Sequence, residues 1–121
     1  MPKYLIILTL LIQSTNAYSI NKESIKVAGD TLANYQVCEI LSTQFDDLVM
    51  AYYYHEMKEM SRIDNGKTFS LSELSKIEDE YANASYILNK INPSSLFQLC
   101  LSRFDTVSRQ HYKTRLDRIL N

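Results

Sequence analysis

Few residues in this sequence could do chemistry, and their spacing argues against most of the usual sites. His55-Glu56 opens like a helix-borne zinc motif, but Glu59 stands where a second histidine is needed. His55 and Glu59 alone offer two ligands, fewer than a dedicated zinc site uses. No phosphate loop and no nucleophile elbow occurs, and neither cysteine adjoins a histidine. Asp46-Asp47 pairs two carboxylates, but adjacent residues of a helix point in different directions. A solvated face accounts for them. Asn83-Ala84-Ser85 has the form of a glycan acceptor but falls within a predicted helix, and we read it as chance. We therefore expect no enzyme, no cofactor and no metal.

Two features remain. Tyr52-Tyr53-Tyr54 places three aromatics in a row. On a helix they cover most of the circumference, so one or two can enter a core and the rest must meet something else or water. Tyrosine suits an interface, having a large apolar body and a polar tip. With Phe45 and Val49 on the same helix, these tyrosines are the expected client- or subunit-binding residues. Cys38 and Cys100 are the second feature, 62 positions apart. They admit one long-range bridge or two buried thiols, and export favours the bridge.

Export is read from the first 17 residues. Lys3 gives a positive start, Tyr4 to Ile12 is apolar except at Thr9, and Thr15-Asn16-Ala17 offers small residues at the cleavage positions. This is the three-part secretory pattern, and the apolar run is too short to span a bilayer. A buried N-terminal helix is the alternative. The expected divisions are a signal peptide at 1–17, a polar and flexible lead-in at 18–30, and one helical domain at 31–121. The compartment is periplasmic or secreted, and the mature form has no membrane segment.

The domain must be helical. Only two glycines and two prolines occur, so few turns can be built from them. The first helix is predicted from Thr31 to Met60, with Tyr35, Cys38, Leu41, Phe45, Leu48, Val49 and Tyr52 at helical spacing. It should break at Asp64-Asn65-Gly66. The second follows Ser70-Leu71-Ser72-Glu73, which has the form of a capping box. The third starts at Asn92-Pro93, a cap followed by proline at the first helical position. No stretch alternates as a strand would. The expected fold is all-α: a small three-helix bundle in which a Cys38–Cys100 bridge staples the first helix to the last.

Charge is nearly balanced overall, at a net of −1, so no nucleic-acid partner is indicated. It is uneven along the chain. Glu39 to Glu80 holds ten acids and four bases, whereas Lys90 to Asn121 holds six bases and two acids. Either these are two solvated faces, or the halves attract at neutral pH and cease to attract in acid.

Several motifs fall in a familiar order. Val37-Cys38-Glu39-Ile40-Leu41 precedes an aromatic-rich Ala51-Tyr52-Tyr53-Tyr54-His55-Glu56. Lys67-Thr68-Phe69-Ser70-Leu71 forms a polar turn, and Leu96-Phe97-Gln98-Leu99-Cys100 closes the series. The order resembles the HdeA/HdeB family of acid-stress periplasmic chaperones over about Val37 to Phe104. The second helix is longer here than in that family, and the usual proline-bearing loop after the first helix is absent. The resemblance implies a helical, disulfide-closed homodimer. In strong acid it would loosen, expose apolar surface and hold unfolding proteins without ATP. Composition permits this, since below about pH 3 most carboxylates are neutral while every base stays charged. A second expectation has the same outline: an exported helical immunity or inhibitor protein that binds one toxin or enzyme. Both make proteins the partners.

Overall fold

The computed structural model describes the backbone of residues 2–120. It describes side chains from Lys22 to Leu120, except Val107, Gln110, Tyr112, Thr114 and Arg115. The signal-peptide reading of residues 1–17 concerns side chains outside the described residues.

Among the described residues the structure is all-helical, with four helices rather than three: α1 (Pro2–Gln44), α2 (Leu48–Thr68), α3 (Leu71–Leu88) and α4 (Pro93–Leu120). The helix expected from Thr31 to Met60 is two helices, and the joint is the carboxylate pair that we assigned to a solvated face. Asp46 adopts φ 60°, in the left-handed region. The Asp47 N–H donates to the Ser42 carbonyl at 2.8 Å, and the Asp46 N–H donates to the Thr43 carbonyl at 3.2 Å. This pair of bonds is a Schellman closure, with aspartate where glycine is commonest. Asp47 then caps the next helix, its Oδ1 accepting from the Met50 N–H at 3.0 Å. Asp47→Ala should destabilise the fold by about 0.5–2 kcal/mol in urea titration, and Asp46→Gly should not destabilise it.

The lead-in is also corrected. From Lys22 on, the described part of residues 18–30 is helical and packed. Ile25 and Leu32, seven residues apart on one side of α1, are buried with Ile77 of α3, and Phe69, Leu74 and Tyr81 pack around them. The helical body therefore starts before Thr31. The break expected at Asp64-Asn65-Gly66 does not form either, because α2 runs through Gly66. It ends at Phe69, whose N–H still reaches the Asn65 carbonyl at 2.9 Å while its ring packs on the Ile25 cluster.

The other start signals hold. Ser70 and Glu73 form a reciprocal capping box. Asn92 Oδ1 accepts from the N–H groups of Ser94 and Ser95 at 2.9 and 3.2 Å, opening α4 at Pro93. Cys38 and Cys100 are bridged, with Cα atoms 5.5 Å apart. Around the bridge lies a second cluster, formed by Val37 and Leu41 of α1, Met50, Tyr54 and Met57 of α2, and Leu96 of α4. The core is thus in two parts, one where α1 crosses α3 and one where α1, α2 and α4 meet.

Candidate functional site

The three tyrosines separate by one-residue steps around α2. Tyr54 points inward, is 1% exposed, and donates from its hydroxyl to the Cys100 carbonyl at 2.5 Å. Burial pushes its phenol up to about 12. Tyr54 is therefore a core residue beside the disulfide, and its assignment to a binding face is withdrawn. Tyr53 is half-buried, its ring 5.7 Å from Phe104 and 5.0 Å from His111. Tyr52 is exposed, 5.6 Å from Tyr53 and 5.9 Å from His111.

The apolar face lies where α2 begins. Leu48 and Val49 are 69% and 63% exposed. Phe45, also exposed, stacks on Phe97 of α4 at 4.3 Å. Leu48, Val49 and Tyr52 share one side of α2, since positions three and four apart are neighbours on a helix. The opposite side carries the buried Met50, Ala51, Tyr54 and Met57. Together Phe45, Leu48, Val49 and Tyr52 form an exposed apolar patch at the start of α2. Phe45, Val49 and Tyr52 are sequence-expected residues that the fold brings together. Leu48 joins them although sequence reasoning did not single it out, and its place on the same helical stripe was the available signal.

His111 escaped notice as well. It is 4% exposed, and neither ring nitrogen has a hydrogen-bond partner. Its imidazole instead packs edge to face against Tyr52 and Tyr53. His55 takes no part with Glu59, its Nδ1 lying 2.5 Å from Glu39 Oε1. Among the described residues no three His, Cys, Asp or Glu side chains gather as a metal site.

The expected attraction between the acidic middle and the basic end is not carried by ion pairs. Among the described residues none joins the 39–80 segment to the 90–121 segment. The pairs are local or between the first three helices. Arg62 meets Glu78 at 2.7 Å, and Arg109 meets Asp105 one turn away at 3.0 Å. The most enclosed is Glu39 of α1, which receives Lys58 of α2 at 3.0 Å while Lys58 also donates to Gln36 at 2.7 Å. At the capping box, hydrogen bonds from the Ser70 backbone and hydroxyl lower the Glu73 pKa. That contribution is present above the ordinary carboxylate pKa and is lost as pH falls through the lowered one.

No family model matches the chain, and neither a curated protein nor a solved structure matches it. Among the described residues no helix is long and apolar enough to cross a membrane. The disulfide fits an oxidising compartment.

Proposed function

We propose that this chain is an exported, ATP-independent chaperone of the periplasm that holds unfolding proteins on the Phe45–Tyr52 face under acid stress. The observation that carries the reading is that face: exposed aromatic and aliphatic side chains on a scaffold stapled by a disulfide. A staple that spans the first and last helices would keep such a protein compact while its packing loosens.

The test is light scattering of an acid-labile client at pH 2–4 and at pH 7, with the wild type and with Leu48→Asp/Val49→Asp. The wild type should keep the client in solution in acid, and the double variant should lose most of that protection while remaining helical. A wild type that leaves client aggregation unchanged in acid would refute the chaperone reading.

One observation favours the second reading, an exported inhibitor or immunity protein. The apolar face is already formed in the folded chain, and among the described residues no ion pair joins the acidic segment to the basic one for acid to break. Tight one-to-one binding of a single protein at pH 7, abolished by Leu48→Asp/Val49→Asp, would select it over the chaperone.

A further inference from the structure

A cavity of about 370 Å³ lies between α1 and α4, within the size range of small-molecule sites. Val27, Thr31, Asn34 and Tyr35 of α1 form one wall, and Arg103 and Thr106 of α4 form the other. The disulfide fixes the two walls against each other. Asn34 lies one turn before Cys38 and Arg103 one turn after Cys100, and the Cα atoms of the bridge are 5.5 Å apart. Asn34 is itself anchored, its Nδ2 donating to the Asp30 carbonyl at 2.7 Å. Its Oδ1 accepts from Arg103 Nη1 at 3.1 Å, across the space between the helices. A neutral amide therefore orients the guanidinium without cancelling its charge. Among the described residues Arg103 belongs to no ion pair. The acid in the lining, Asp30, is taken by Lys26, whose Nζ lies 3.0 Å from Oδ2.

We propose that this cavity binds a small monocarboxylate with an apolar body, its carboxylate on Arg103 and its body against Val27 and Tyr35. A guanidinium presents a planar fork that matches both oxygens of a carboxylate. Asn34 engages Nη1 and leaves the Nε–Nη2 edge to receive them. The Thr31 and Thr106 hydroxyls supply further donors, and their methyl groups extend the apolar wall. Walls stapled by the bridge need little ordering when the ligand enters, which favours binding. The neighbouring cavity accounts for the choice of side. It has a volume of about 530 Å³ and shares Val27 and Thr31, but it carries Glu23 and Asp64 and no base. That lining repels an anion, so the carboxylate belongs on the Arg103 side. The site shares no residue with the Phe45–Tyr52 face, and it stands or falls independently of the function assigned there.

The test uses octanoate as the probe and octanamide as its neutral match, titrated at pH 7 into the oxidised protein and followed by two-dimensional NMR. Octanoate should shift the Arg103 Nε–H and the amides of Thr31 and Thr106, and should bind roughly 10-fold or more tightly than octanamide. Arg103→Gln, at an exposed position, should stay helical by circular dichroism and weaken octanoate binding by about 10- to 100-fold. Arg103→Lys keeps the charge but loses the fork, and should recover only part of the affinity. Arg109→Gln, on the same helix but already paired with Asp105, should bind octanoate as the wild type does. The absence of any shift at millimolar octanoate would overturn the proposal. So would equal binding of octanamide, binding indifferent to Arg103→Gln, or shifts centred on Phe45, Leu48 and Val49.

Discussion

Replacing Cys38 or Cys100 with serine should lower the stability of this protein by about 2–5 kcal/mol, the largest loss expected from a single side chain. The bridge joins residues 62 positions apart, so it removes a long loop's freedom from the unfolded chain. Its loss also reaches the packing. Both cysteines are buried in the cluster shared by α1, α2 and α4, and the Tyr54 hydroxyl is held by the carbonyl of Cys100 itself. A domain of this size has a total stability of about 5–15 kcal/mol, so the loss is a large fraction. Urea titration of the oxidised wild type against Cys38→Ser/Cys100→Ser measures it. The variant should also uncouple the two clusters, with the Ile25–Leu32–Ile77 cluster, which contains no part of the bridge, retaining more amide protection than Tyr54 and its neighbours. A midpoint unchanged by the double replacement would show that packing alone holds α4 in place.

The second large effect is expected at Gly29. A Cβ there would lie 2.5 Å from the Glu80 Cβ and 2.9 Å from the Tyr81 amide nitrogen. Two of the crowded atoms belong to the backbone of α3, so the helix itself must move. Gly29→Ala gains helix propensity of about 1 kcal/mol, but separating α1 from α3 strains the Ile25–Leu32–Ile77 packing along the same crossing. A net destabilisation of about 1–3 kcal/mol is expected, and more for Gly29→Leu. Gly66 is the matched control. It also lies inside a helix, and a Cβ there meets nothing within 4 Å. Gly66→Ala should therefore stabilise the protein by about 0.5–1 kcal/mol. Thermal melts of the two alanine variants should move in opposite directions. A shift of the same sign in both would contradict the close approach of α1 and α3.

The features legible in the sequence were those settled by a few neighbouring residues. Ser70 with Glu73 and Asn92 with Pro93 start helices as expected, because a cap closes hydrogen bonds within one turn of itself. The cysteine pairing was legible for a related reason. Both residues sit on apolar stripes, and the chain contains no other cysteine. The Asp46-Asp47 joint carried a local signal too, since aspartate both tolerates positive φ and caps helices. We read it as surface because an unbroken helical period ran across it.

What only the tertiary structure decided is which side of each periodic stripe is covered. Periodicity marks Leu71 and Ile77 alike, yet Leu71 is exposed while Ile77 is buried where α3 meets α1. Nothing in the run of three tyrosines says that Tyr54 faces the disulfide while Tyr52 faces solvent. That follows from where α4 lies against α2. Ile25 belongs to the core only because α3 returns along the first helix, and Gly29 matters only because that return is close. The segment charges looked complementary along the chain but do not meet in ion pairs among the described residues, because Glu39, Glu78 and Asp105 find bases nearer at hand. The physical reason is common to all of these. A cap or a turn is closed by bonds within a single turn of chain, whereas burial depends on atoms supplied by a distant helix, and the stripe is the same whether that helix arrives or not.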